Sequence, residues 1–98
     1  MARVEFAEGV MDDYSRIIAH LQAHGSAESA NRLEAIVLTM DVLECNPWIG
    51  RPAEEGRREL IIGHGAHGYV ALYAFIEEVD TVLVLALHSQ REAGYSFY

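Results

Sequence analysis

The stretch GYVALYAFIEEVDTVLVLALH, residues 68–88, determines the fold. It contains two runs rich in apolar, β-branched and aromatic residues, 68–77 and 81–88, joined by a short acidic segment that predicts a tight turn. We therefore predict a β-hairpin. Both faces of its first strand are apolar, because aromatic residues alternate with aliphatic ones. Such a strand is expected to be covered on both faces, so a face left open in a small domain is a candidate partner-binding surface.

The sequence before the hairpin predicts one strand, two helices and a further strand. Residues 2–6 alternate as a strand, and apolar residues then recur with helical spacing through two segments. Gly25 fits the position just past the end of the first helix, and the second helix is predicted over residues 27–45. Residues 47–57 indicate an ordered loop, and RELII at 58–62 a strand. The predicted apolar stripe of the second helix consists of Ala30, Leu33, Val37, Met40 and Leu43.

Length and composition indicate one folded domain over residues 1–98. About half of the chain is apolar and 22% is charged, which is typical of a globular protein. The single cysteine, Cys45, cannot form an internal disulfide, and we expect it to be buried in a protein of the reducing cytosol. No apolar run approaches the roughly 20 residues that span a membrane, and the N-terminus has no basic leader. We therefore expect a cytoplasmic protein with no membrane partner.

The charge is acidic and is carried in an unusual way. Fifteen carboxylates face seven arginines and no lysine, so the formal net charge is -8. This field repels polyanions, and we expect no direct non-specific binding of nucleic acid. Guanidinium groups favour fixed, planar contacts. Arg51, Arg57 and Arg58 therefore either form surface ion pairs or clamp an acidic group of a partner, while Trp48 is expected to pack under their loop.

The predicted order of a strand, two helices and three strands accompanies four motifs. These are GRP at 50–52, RELIIG at 58–63, GYVALY at 68–73 and REAGY at 91–95. In their order and spacing they resemble the RelE/ParE toxin family over nearly the whole chain. The resemblance implies an α+β fold, β-α-α-β-β-β, with a helical hairpin on one face of a mainly antiparallel sheet. It also implies a bacterial toxin of a type II toxin-antitoxin module, held inactive by an antitoxin whose C-terminal segment wraps the toxin surface.

The family divides by mechanism. RelE-like members cleave messenger RNA on the ribosome, and ParE-like members poison DNA gyrase without cutting nucleic acid themselves. Metal-free RNA cleavage needs a base, an acid and cations that converge on one phosphate. Ribosome-dependent members supply them from lysines on the first strand of the final sheet, an arginine after the Gly-Tyr pair, and an arginine and a tyrosine near the C-terminus. This sequence has no lysine, has Val70 after Gly68-Tyr69, and has Ser89 in place of the arginine.

The remaining catalytic candidates are His88, Arg91 and Tyr95. A two-residue turn between the hairpin strands would place Tyr69 opposite His88, close to Arg91. Histidine titrates near neutral pH and could serve as an acid or a base. The alternative is that His88 is a strand-end histidine bonded to a neighbour and that Arg91 pairs with a carboxylate.

The GHGAHG segment at 63–68 could begin a metal site with His64 and His67. A metal site needs at least a third ligand, and the sequence does not supply one. Its glycines more plausibly permit positive backbone dihedral angles between two strands. The segment also lacks the lysine of a P-loop. No metal and no cofactor are predicted.

We predict a ParE-like toxin that inhibits DNA gyrase by protein-protein contact. The alternatives are a ribosome-dependent mRNA endonuclease and an inactive member that only binds its antitoxin, so whether the chain is an enzyme stays open. Because the toxin itself is acidic, we expect the antitoxin to anchor through apolar side chains rather than through charge. The residues predicted to bind the antitoxin or the target are Arg51, Arg57, Arg58, Tyr69, Tyr73, Arg91 and Tyr95.

Overall fold

The computed structural model describes residues 1–25, 27–63 and 68–89, and it shows two helices packed on one face of a five-stranded sheet. The helices are α1 (Val10–His24) and α2 (Ala27–Cys45). The strands are β1 (Arg3–Phe6), β2 (Arg51–Pro52), β3 (Arg58–Ile62), β4 (Tyr69–Ile76) and β5 (Thr81–Ser89). The predicted β-α-α-β-β-β order is confirmed with one addition, because the segment predicted as a loop contains the short strand β2.

The sheet has the strand order β1-β5-β4-β3-β2. Only β1 runs parallel to its neighbour, β5, and the other neighbouring strands are antiparallel. Two parallel strands need a long crossover connection between them. Both helices lie in the connection between β1 and β5. The mainly antiparallel sheet with a helical hairpin on one face is therefore confirmed.

The core lies between the helices and one face of the sheet. In β4 this face consists of Tyr69, Ala71, Tyr73 and Phe75. Apolar side chains of both helices pack on it in two neighbouring clusters. The buried members of the first are Ile17, Leu21, Ile36, Ile62, Tyr69, Ala71 and Leu87, and those of the second are Ala2, Val10, Leu43, Tyr73, Val82 and Val84.

The core-facing stripe of helix α2 matches the predicted one in part. Leu43 is fully buried and Met40 packs against the core, as predicted. Ile36 is also fully buried, whereas Val37 is 48% exposed and was wrongly assigned to the core. Apolar residues surround most of this helix, so a stripe of helical spacing can be drawn at more than one rotation about its axis. Buried Thr39 lies on the inner side, where its hydroxyl donates to the Ala35 carbonyl at 2.8 Å.

Two further burial predictions were wrong. Cys45 is exposed at the end of α2. Trp48 is half-exposed, because it lies at the border of the core with its ring edge-on to Phe75, at 5.0 Å between ring centroids. The predicted end of α1 is confirmed, since Gly25 adopts the left-handed conformation and its N–H donates to the Leu21 carbonyl.

The β4-β5 hairpin contains a β-bulge. Tyr73 pairs with Val84, but Leu72 pairs with Ala86, so Leu85 has no counterpart in β4. Beyond this extra residue the pairing shifts by one position. Because neighbouring residues of a strand point to opposite faces, the shift changes which face each later residue of β5 occupies relative to β4.

The Tyr73 hydroxyl joins the sheet to the loop that follows α2. It donates to the Pro47 carbonyl at 2.9 Å and accepts from the Gly50 N–H at 2.8 Å, while its ring is fully buried. Burial raises the pKa of the Tyr73 phenol, and the Gly50 hydrogen bond and the positive charge of Arg58 counteract this in part. The phenol is therefore held in its neutral, hydrogen-bonding form.

Gly50 explains the glycine of the GRP motif. A Cβ atom at this position would lie 2.7 Å from the Tyr73 hydroxyl oxygen and 2.8 Å from the Glu59 carbonyl oxygen. Neither atom can move freely, because the first is hydrogen-bonded on both sides and the second belongs to the backbone of β3. The glycine of the motif is thus required for packing.

We predict that Gly50→Ala lowers the free energy of unfolding by about 1–3 kcal/mol, since the added methyl group overpacks a site with no free volume. Urea denaturation followed by circular dichroism measures the change. Cys45→Ala, at an exposed position close by, is the control and should change stability by less than about 0.5 kcal/mol. Equal stability of the glycine and alanine proteins would contradict the assigned contact.

We also predict that Tyr73→Phe destabilises the fold by about 1–3 kcal/mol, because the buried Gly50 N–H loses its acceptor. Stability of the wild type should also fall as the pH rises above about 10, where the unfolded chain releases the tyrosine proton and the folded chain retains it.

The alkaline loss should be smaller in Tyr73→Phe than in the wild type, because the other four tyrosines are common to both proteins. Urea denaturation curves measured at a series of alkaline pH values make the comparison. Parallel curves of stability against pH for the two proteins would argue against a raised pKa at Tyr73.

Candidate functional site

The face of the sheet opposite the helices carries an apolar surface, which we name the open face. Its members are Ile61, Val70, Leu72, Ala74, Ile76, Leu83 and Ala86, assigned to one face by the strand registers. Val70 is buried, but Ile61 and Ile76 are 41% and 38% exposed. The prediction of an apolar face that the helices leave uncovered is confirmed. Its occupation by a partner stays a prediction.

Ion pairs border the open face on two sides. On the β2 side, Arg51 Nε lies 3.2 Å from Glu59 Oε1. On the β1 side, Arg3 Nη1 lies 3.4 Å from Glu5 Oε2. Both arginines are largely exposed, so each pair contributes about 0–1 kcal/mol to stability. These polar borders are arranged around an apolar centre, as in many protein-protein interfaces.

A groove of about 480 Å³ lies at the β2 border of the open face. Arg51 and Arg57 line it together with Glu54 and Glu59, and Leu72 extends the apolar surface into it. The structure therefore brings together two of the arginines that were predicted to bind a partner. Their guanidinium groups are about half-exposed.

Arg58 is placed differently from the other two arginines of this segment. Its Nη1 donates to the carbonyls of Trp48 and Gly50, at 3.1 and 2.6 Å, and its guanidinium lies 4.9 Å from the centre of the Trp48 ring. These contacts hold the loop between α2 and β2 against the sheet. The geometry thus gives Arg58 a structural role, and partner binding by it stays untested.

The two tyrosines predicted to bind a partner belong to the helix-facing side of β4. Tyr73 is fully buried and Tyr69 is buried, each in one of the two core clusters. The assignment of Tyr73 to a binding surface needs correction, because its ring has no exposed surface.

The predicted pairing of Tyr69 with His88 is wrong. Tyr69 pairs with Ser89, and His88 pairs with Val70, because the β-bulge at Leu85 shifts the register. The phenol thus lies on the helix side of the sheet and the imidazole on the other. Arg91 and Tyr95, the other two members of the predicted catalytic set, lie outside the described residues, as do His64 and His67.

The groove and the role of Glu59 were not predicted from the sequence. Both depend on β2, whose two residues are too few to show an alternating pattern. The available signal was the RELII segment, in which Glu59 shares a face with Ile61. That alternation places a carboxylate beside apolar residues on the side away from the helices.

No group of three or more histidine, cysteine, aspartate or glutamate side chains within 1–25, 27–63 and 68–89 is arranged to hold a metal ion. Neither helix of the described chain combines the length and the apolar character needed to span a membrane.

Several solved structures share the fold. The chromosomal ParDE toxin-antitoxin system from P. aeruginosa is 19% identical, with 91% of this chain and 96% of that chain covered and a TM-score of 0.67. A chain of the intact E. coli RelBE toxin-antitoxin complex is 13% identical, with 91% and 96% covered and a TM-score of 0.66. The isolated E. coli RelE toxin is 15% identical, with 99% and 94% covered and a TM-score of 0.66. At these identities the likeness establishes a common fold.

The sequence comparison is more specific than the structural one. No curated protein has a sequence that matches this chain significantly. Residues 4–94, however, match the family described as "ParE toxin of type II toxin-antitoxin system, parDE". This match covers all of the described strands and helices except the first residue of β1. The chain therefore belongs to the ParE toxin family of type II toxin-antitoxin systems.

Proposed function

We propose that this toxin inhibits DNA gyrase by protein-protein contact in the cytoplasm and is neutralised by a cognate antitoxin that covers the open face. The observation that carries the first part is the register of β4 and β5. It assigns Tyr69 and His88 to opposite faces of the sheet, so the phenol and the imidazole do not form one acid-base site. A phosphodiester-cleaving site needs an acid and a base that both reach the same phosphate group, and side chains on opposite faces of a sheet do not meet that condition.

The residues at the expected nuclease positions support the same proposal. Val70 occupies the position after the Gly-Tyr pair, and its side chain is both apolar and buried. Of the seven arginines, Arg58 is committed to the Trp48-Gly50 loop. The sequence has no lysine that could take over charge stabilisation. Contact with a protein target requires none of these catalytic groups.

The open face supports the proposal for the antitoxin. It offers apolar side chains from three adjacent strands, with polar residues at its borders. Burial of apolar area provides association energy that does not depend on the sign of the net charge. This suits a toxin with a net charge of -8, because the contact does not require a partner of opposite charge.

A ribosome-dependent endonuclease is the second candidate, and the similarity to the isolated E. coli RelE toxin favours it. That structure covers 99% of this chain, against 91% for the ParDE structure, and has nearly the same TM-score. In this candidate His88, Arg91 and Tyr95 would act in catalysis. A third candidate is a member that binds its antitoxin and has no activity of its own.

We predict that the purified toxin makes gyrase accumulate cleaved plasmid and leaves messenger RNA intact in a translation mixture. The reason is that contact with gyrase needs a shaped surface, whereas cutting RNA needs a converged set of acids, bases and cations. The toxin-antitoxin complex serves as the control and should be inactive in both assays. Cleavage of messenger RNA that His88→Ala abolishes would establish the endonuclease instead. No activity in either assay would indicate the inactive member.

We predict that Ile61→Glu weakens antitoxin binding at least about 100-fold, because an unpaired carboxylate would be buried in the interface. Isothermal titration calorimetry measures the affinity, and thermal unfolding shows whether the fold is retained. Val37→Glu is the matched control, since Val37 is exposed to a similar degree, 48% against 41%, but lies on α2.

The same titration in high salt tests the apolar character of the contact. At about 1 M salt, where the screening length is only about 3 Å, the complex should persist. Loss of the complex under these conditions, or equal binding by the two glutamate variants, would remove the open face as the antitoxin surface.

A further inference from the structure

The groove at the β2 border combines features that the rest of the open face lacks. The side chains of Arg51 and Arg57, each about half-exposed, line a space that Leu72 connects to the apolar surface. We propose that this groove binds an aspartate or glutamate side chain of the antitoxin segment that covers the open face. The inference rests on the proposed docking of the antitoxin and adds one specific polar contact to it.

The two arginines keep most of their hydrogen-bond donors available for such a ligand. A guanidinium has five N–H donors in a planar fork that matches a carboxylate. Arg51 uses its Nε on Glu59, and its two Nη nitrogens make no other contact that the structure describes. Arg57 is 3.5 Å from Glu55, at the long end of an ion pair, and the Glu55 side chain is mostly exposed. A better-placed carboxylate can therefore displace or join these contacts.

The backbone around the groove is fixed before any ligand binds. The Ala53 N–H donates to the Arg57 carbonyl at 2.8 Å, and the Arg57 N–H donates to the Glu54 carbonyl at 3.1 Å. Glu55 adopts a left-handed conformation with φ 60° inside this turn, which is uncommon for a residue other than glycine. A turn closed by two hydrogen bonds presents Arg57 at a defined position. Less ordering is then needed when a ligand binds.

The groove selects a single carboxylate and not a polyanion. Glu54 and Glu59 line the same space, and the chain has a net charge of -8, so a nucleic acid backbone would be repelled. One carboxylate next to an apolar side chain meets the two guanidiniums and Leu72 at the same time. The groove is also continuous with the open face, so the segment that covers this face passes its edge.

The double variant Arg51→Gln/Arg57→Gln tests the proposal in the full-length toxin. The probe is the purified cognate antitoxin. We expect the dissociation constant to rise about 10- to 100-fold at low salt, which is the range for hydrogen bonds to charged groups. Arg16→Gln, which removes an exposed ion pair with Asp13 on α1, on the other side of the sheet from the open face, is the control and should change the affinity less than about twofold.

A second measurement identifies the group that enters the groove. Each aspartate and glutamate of the antitoxin is replaced in turn by its amide, and binding to the wild type and to the double variant is compared. One amide substitution in the antitoxin should weaken binding to the wild-type toxin about as much as the double variant weakens binding of the unchanged antitoxin. The same substitution should not weaken binding to the double variant further, because the two changes remove the same contact.

The outcomes separate this inference from the proposed function. If the double variant binds as tightly as the wild type while Ile61→Glu does not bind, the carboxylate contact is wrong and the open face still holds the antitoxin. If Ile61→Glu binds normally as well, both proposals are wrong. If the double variant is weakened but every amide substitution acts additively with it, the arginines contact something other than a carboxylate, and the inference is overturned.

Discussion

The rest of this structure depends on the two hydrogen bonds of the Tyr73 phenol. The phenol accepts one hydrogen bond from Gly50 and donates one to Pro47 in an otherwise apolar core, and it thereby ties the end of the helical layer to the centre of the sheet. The Arg58 guanidinium reinforces the same loop from the neighbouring strand. Together these contacts set the course of the chain into β2, and β2 completes the border at which Arg51 meets Glu59. A core hydrogen bond therefore positions a surface feature on the other side of the sheet.

Much of the architecture was predictable because the signals were local and strong. The alternation and the β-branched residues of β3, β4 and β5 indicated strands, and the predicted bounds of α2 agree with the structure. The inner stripe of α2 was not predictable in the same way. A helix that is apolar almost all round, with both Ile36 and Val37 available, can be rotated without loss of apolar contact, and its rotation is determined by the sheet beneath it.

The candidate site was less predictable because it depends on register and on exposure. The sequence indicated which residues carry charge or aromatic rings, but Tyr73 was assigned to a surface although it lies in the core. Only the fold distinguishes Arg58, whose donors hold a loop, from Arg51 and Arg57, whose guanidiniums line a groove. Membership of the ParE toxin family gives these observations their biological setting, since a toxin kept inactive by an antitoxin needs a surface that is accessible when the partner is absent.

The unpaired residue at Leu85 has a consequence for how such toxins diversify. Every side chain of β5 beyond it owes its side of the sheet to that single insertion. Deletion of the Leu85 codon would move the imidazole of His88 to the helix-facing side of the sheet, where the β4 tyrosines lie. No point substitution at the end of β5 could do so. In a lineage built on this scaffold, changes of strand length by one residue are therefore a direct route between distinct surface chemistries.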